Sequence, residues 1–151
     1  MKKLIFGFLI MICCTSFKSV GSGTALLTCK SESGRTTFTA ELQDITGLLE
    51  KAELTVDGKK INFNPDDEVY SIFDPKNGVF TVYISGKPND KFPNARFIEF
   101  WAIPSTFRII KSDRNNQRYE FRAKIEGTEP RKNKDLRIPQ VELICTLEYK
   151  I

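Results

Sequence analysis

Three groups of residues in this sequence have the types and spacing from which chemistry is made. The first is Glu99 beside Trp101, inside the apolar run from Arg96 to Ile103. If Ile98, Phe100 and Ala102 face a core, Glu99 and Trp101 share the opposite face, where an aromatic ring beside a carboxylate suits a sugar or a peptide. Glu99 is also the one acid whose neighbours suggest a raised pKa, the property a glycosidase demands of its general acid. Such an enzyme needs no histidine. It does need a second acid, and the sequence assigns none opposite Glu99. The expectation is therefore a protein that is not an enzyme.

The second group is Asn62, Asn64, Asp66, Asp67 and Glu68, with oxygen ligands at alternate positions as at the start of a calcium loop. Pro65 interrupts it, Asp67 stands where that loop needs Gly, and Phe73 stands where it needs Glu. A solvated turn between strands is the better reading, with no metal and no cofactor.

The third group is basic. Arg131, Lys132, Lys134 and Arg137 crowd the Pro-bounded segment Pro130 to Pro139, and Arg108, Arg118, Arg122 and Lys124 fall where they can share one sheet face. Such clusters suit lipid headgroups, an acidic glycan or an acidic protein. The competing reading is an ordinary charged surface, because Glu120, Glu126, Glu129 and Asp135 are interleaved and can form cross-strand pairs. The Arg131 to Arg137 loop is the stronger binding candidate, since loops on a rigid sheet are where contact residues concentrate. Nucleic acid is not expected as a partner, for no recognition helix and no aromatic-basic RNA motif is present.

Compartment and cysteine usage frame these groups. The chain has 151 residues, 23 Lys plus Arg, 19 Asp plus Glu, four Cys and no His. Without His there is no Ser-His-Asp triad, no Cys-His dyad and no histidine-ligated zinc or haem. Met1, Lys2 and Lys3 precede an uncharged apolar run, Leu4 to Cys14, that is too short to cross a bilayer as a helix. A basic start, a short apolar run and then small residues predict a secretory signal peptide over residues 1–25 and a single domain over 26–151. Cleavage after Ala25 places Gly23 and Ala25 at the positions a signal peptidase reads; cuts after Ser16 or Gly21 fit almost as well. The alternative is a lipoprotein acylated at Cys13 or Cys14, the only route by which membrane contact is expected. Lys2, Lys3 and Lys18 leave with the leader, so the exported chain carries 20 basic residues against 19 acids. The basicity is then local: residues 91–151 hold 13 Lys plus Arg against 8 acids, and residues 26–90 hold 7 against 11. Cys29 and Cys145 survive export, and two Cys in an oxidising compartment pair. Closing so long a loop contributes roughly 4 to 5 kcal/mol in the chain-entropy model.

The elements that must position these residues are strands. Val141, Leu143, Cys145, Leu147, Tyr149 and Ile151 alternate with neighbours that are polar except for Ile144, and Thr36 to Leu42 and Tyr119 to Ile125 alternate in the same way. Ala52, Leu54 and Val56 lead through Asp57-Gly58 into Ile61 and Phe63, a hairpin by its turn chemistry. Val69 to Phe73, Phe80 to Ile84 and Phe107 to Lys111 complete the series, the last as partner of Tyr119 to Ile125. Asp44 to Glu53 is the one segment that suits a short helix, with Asp44 as cap. Turn signals every 8 to 12 residues or so predict an all-β fold, an antiparallel sandwich or barrel of about nine or ten strands with the first and last joined by a disulfide.

The layout of leader, small β domain and one terminal disulfide, with Leu27-Thr28-Cys29 near its start, resembles that of bacterial periplasmic lysozyme inhibitors. The resemblance covers a few residues and carries over no site residue. Together these readings predict an exported non-catalytic binding or inhibitor module acting on another exported protein or on envelope material, through Arg131, Lys132, Lys134 and Arg137 or through Trp101 and Glu99. The alternative is a structural or assembly component of the cell envelope whose edge strands pair with other chains.

Overall fold

Alternation of buried and exposed side chains, read strand by strand, shows how the sequence folds. A computed structural model describes residues 23–43, 49–63, 67–74, 76–86, 96–113 and 116–150. They form ten strands: β1 (Thr24–Ser31), β2 (Thr36–Gln43), β3 (Leu49–Val56), β4 (Lys59–Asn62), β5 (Glu68–Asp74), β6 (Val79–Ser85), β7 (Phe97–Ala102), β8 (Arg108–Ser112), β9 (Asn116–Glu129) and β10 (Leu136–Lys150). A single 3-10 turn, Pro104–Thr106, links β7 to β8. Along β1 every second residue is buried, and Ala25, Leu27 and Cys29 enter the core with Phe38, Ala40 and Leu42 of β2. Period-two patterning thus chooses the inner face, as it must where side chains alternate across a pleat.

All pairings are antiparallel, and the strands lie in one sheet in the order β4-β3-β2-β1-β10-β9-β7-β6-β5, with β8 paired to β9 beyond the end of β7. The sheet curls strongly. Phe38 on β2 and Phe100 on β7 are four strand positions apart, about 19 Å across a flat sheet, yet their ring centroids are 5.3 Å apart. Phe73 on β5 and Tyr149 on β10 span the same number of strands and lie at 5.7 Å. The inner faces have folded onto each other. Chain connectivity requires the same shape: β4 and β5 are the two outermost strands, but only residues 63–67 join them, a reach of about 20 Å at most. The architecture is an open, curled half-barrel, nearer the barrel than the sandwich of the two forms expected.

The core is apolar and rich in aromatics, with Phe38, Phe80 and Phe100 fully buried at its centre and Phe107 stacked on Phe121 at 4.4 Å. Cys29 and Cys145 face each other in the β1–β10 ladder, both buried, and form the expected disulfide with Cα atoms 4.0 Å apart and a sequence separation of 116. The Asp57-Gly58 turn also forms as expected, with φ of 48° and 73°, the left-handed backbone that a two-residue hairpin turn requires.

One expectation changes. Leu49 to Glu53 is not helical but opens β3, where Leu49 pairs with Leu42 and Ala52 with Ala40; residues 44–48 lie outside the described residues. Pairing with β2 overrides a helical propensity already weakened by Gly47. Thr24 and Ala25 belong to β1, Ala25 pairs with both Leu42 and Tyr149, and its side chain is buried. Residues 1–22, with Cys13 and Cys14, lie outside the described residues.

Candidate functional site

The outer face of β5, β6 and β7 is built by the same alternation that fills the core. Because Ile98, Phe100 and Ala102 point inward, Phe97, Glu99 and Trp101 point outward, as the sequence required of them. The ladders set their neighbours. Tyr70 lies opposite Tyr83, and Tyr83 opposite Glu99; Ile72 lies opposite Thr81, and Thr81 opposite Trp101. Two rows therefore cross the three strands, one ending in Glu99 and the other in Trp101. Tyr70 and Ile72 are 62% and 64% exposed, Tyr83 and Phe97 just over a third, and Trp101 and Glu99 are half-buried. Large apolar side chains gathered on an uncovered sheet face are the kind of patch that marks a contact surface.

The acid that the sequence could not assign to Glu99 is Glu126, directly opposite it on β9. Glu126 Oε2 accepts a hydrogen bond from Gln140 Nε2 at 3.3 Å. Beside this carboxylate pair, Trp101 lies opposite Lys124. The pair sits on the outer side of the curled sheet, with both side chains half-buried. Two carboxylates on the rim of an aromatic platform supply acceptors for hydroxyl or amide donors.

Elsewhere the outer face is charged and internally paired. Arg122 Nη1 meets Glu142 Oε1 at 2.8 Å, Arg118 meets Glu148 at 3.2 Å and Glu120 at 3.4 Å, and Lys51 meets Glu41 at 2.9 Å. Arg108, opposite Glu120, and Lys124 join them on that face. This is the ordinary charged surface that interleaved signs predicted.

The basic loop joins β9 to β10, and Arg131, Lys132 and Lys134 are exposed on it, with Arg137 exposed at the start of β10. The structure brings Arg131, Lys134 and Arg137 together around one concavity, and adds Lys59 of β4, which sequence reasoning missed. Lys132 does not line it.

Sequence reasoning also missed a buried charge triad that fixes the edges of the aromatic face. Arg96, just before β7, reaches Asp67 through Nη2 at 3.2 Å and Glu129 at the end of β9 through Nε at 3.4 Å. Its guanidinium lies 5.9 Å from the centroid of the Phe63 ring. Asp67 is therefore a partner of Arg96; its presumed companions Asn64 and Asp66 lie outside the described residues. Burial pushes the Glu129 carboxyl above its ordinary 4.5, against the opposing charges of Arg96 and Arg131, with Asp67 adding to the rise.

No protein family, curated protein or solved structure matched the chain in comparison. Among the described residues, no group of three or more His, Cys, Asp or Glu is arranged to hold a metal ion, and no helix is long and apolar enough to cross a membrane. The intramolecular disulfide is compatible with an exported protein.

Proposed function

We propose that this is an exported, non-catalytic binding module whose contact surface is the outer face of β5, β6 and β7, acting on another exported protein or on envelope material. One observation carries the reading. Tyr70, Ile72, Tyr83, Phe97 and Trp101 share an uncovered face, while the neighbouring outer face of β9 and β10 is covered by paired charges. Contact surfaces favour Trp and Tyr because a rigid amphipathic ring supplies much area at little entropic cost. Trp101 is the sole tryptophan of the chain, so its fluorescence reports on this face alone. The test is a titration of the protein with fractionated envelope material, read by Trp101 emission, alongside capture by the Tyr83→Ala and Tyr70→Ala variants. Saturable emission change and loss of capture support the reading; undiminished capture by both variants sinks it.

A second reading, an assembly component that adds strands to other chains, draws on the difference between the two sheet edges. The β4 edge is short and guarded by Lys59 and Lys60, whereas β5 presents seven residues without Lys or Pro and with Tyr70 and Ile72 exposed. That reading requires concentration-dependent oligomers, which sedimentation of the purified protein detects.

A further inference from the structure

The β3–β4 turn and the β9–β10 loop belong to distant parts of the sheet, yet they frame a common cavity of about 690 Å³. Lys59 reaches it from one side, and Arg131, Lys134, Asp135, Leu136 and Arg137 from the other. Two of the four cations are anchored by strand pairing: Lys59 opposite Val56, just after the tight Asp57-Gly58 turn, and Arg137 opposite Thr128. All four are exposed, and among the described residues none makes a close ion pair with a carboxylate. In this they differ from Lys51, Lys60, Lys111, Arg118 and Arg122, each of which lies against an acid. The lining holds one acid, Asp135, whose Oδ1 accepts the backbone N–H of Arg131 at 3.4 Å.

Four cations line one concavity with one carboxylate among them, and Glu129 beside Arg131 offsets only part of the excess, so positive charge remains for an anion to neutralise and a singly charged anion would leave part of it in place. We propose that the cavity binds a phosphoryl group carrying two or more negative charges. Arg131 and Arg137 offer planar forks matched to phosphate oxygens, and Lys59 and Lys134 offer mobile point charges. A phosphorylated lipid headgroup and a soluble phosphate compound share this chemistry. The site uses none of the residues of the aromatic face, so its failure or success is independent of that reading.

The experiment is calorimetric titration of the purified protein with inorganic pyrophosphate at near-physiological salt, for the parent and three exposed-residue variants. Lys59→Ala and Arg137→Ala are each expected to weaken binding about tenfold, the scale of a lost charge-assisted hydrogen bond. Lys132→Ala is the control: it removes the same charge as Lys59→Ala from the basic loop itself but lies outside the cavity, so its loss should stay below about threefold under screening. Sedimentation with phosphatidylcholine vesicles, with and without phosphatidic acid, separates the sources. Phosphatidic-acid-dependent sedimentation that pyrophosphate displaces places the phosphoryl group on a lipid; pyrophosphate binding without sedimentation places it on a soluble ligand. The proposal is overturned if pyrophosphate does not bind saturably, or if Lys132→Ala costs as much as Lys59→Ala.

Discussion

Gly127 on β9 and Ile98 on β7 lie directly opposite each other with no space between them for a side-chain carbon. A Cβ built on Gly127 would come 3.1 Å from the Ile98 Cα and would press against the carbonyl oxygen of Phe97. On the other side of β9, Gly127 pairs with Ile138, where β10 bulges before Val141. Three backbones converge at this point, and the close approach seats β7, with Trp101 and Glu99, against the rest of the sheet.

Gly127→Ala is therefore expected to destabilise the fold by about 2–3 kcal/mol, because two of the obstacles, the Phe97 carbonyl oxygen and the Ile98 Cα, are backbone atoms that cannot rotate away. Urea denaturation of parent and variant checks it. A variant as stable as the parent would mean that β7 slides without cost.

Removal of the disulfide by the double change Cys29→Ala and Cys145→Ala should lower stability by about 4 kcal/mol, within the span seen when a native bridge closing a long loop is lost. The same bridge predicts that protein isolated without reductant carries neither thiol in alkylatable form. Mass spectrometry after alkylation reads that directly.

Arg96→Ala should cost more than the loss of a surface arginine, for its side chain is only 12% exposed. It leaves Asp67 and Glu129, whose side chains are 4% and 21% exposed, without the cation between them. Breaking a buried ion group by removing one partner costs about 3–5 kcal/mol. A loss below about 1 kcal/mol, by thermal or chemical unfolding, would show that water reaches the triad.

Glu129 gives this triad a pH dependence with a defined sign. Its carboxyl is raised in the folded state above 4.5, so the native protein binds more protons than the unfolded chain in the window above that value. The Glu129 contribution to stability is fully present below that value and is lost as pH rises through the folded pKa. Unfolding free energies of the parent and Glu129→Gln, measured across pH 4 to 8 or so, should therefore differ by an amount that moves against the parent as pH rises. A difference that moves in its favour would assign the dominant influence to Arg96 instead of burial.

If the chain is exported as we propose, its mature N-terminus is expected at or before Thr24. Cleavage after Ala25 would remove the first two residues of β1, one of them a buried core residue paired on both sides. The cuts after Gly21 or Ser16 preserve the strand, and the mass of the exported protein distinguishes them. A mass that starts at Leu26 would refute this.

Local rules carried much of the fold. Strict alternation in Val141 to Tyr149 and Tyr119 to Ile125 marked β10 and β9, and Asp57-Gly58 marked the β3–β4 turn, because these signals depend on neighbours in sequence. Leu49 to Glu53 is ambiguous in sequence because its few apolar residues fit either period, and the deciding partner, Thr39 to Leu42 on the facing strand β2, acts through backbone hydrogen bonds. The outward pairing of Glu99 and Trp101 was legible from one strand alone. Their companions were not: Tyr70, Tyr83 and Glu126 reach them through register across three ladders. Lys59 and Arg96 were harder still, since the contacts that give them meaning exist only once the sheet has curled.

The order of strands in the sheet differs from their order in the chain in one respect that bears on how the protein comes to be folded. β1 to β4 form one continuous meander and β5 to β9 another, and each can begin to assemble from neighbouring hairpins. β10, the last strand made, lies between them and pairs with both β1 and β9. Until it emerges, the two meanders have no shared ladder, β1 and β9 keep unpaired edges, and the partner of Cys29 does not exist. The middle of the sheet is thus the last of the ten strands in chain order, so joining the two meanders depends on contacts of long sequence separation, the kind that form slowly.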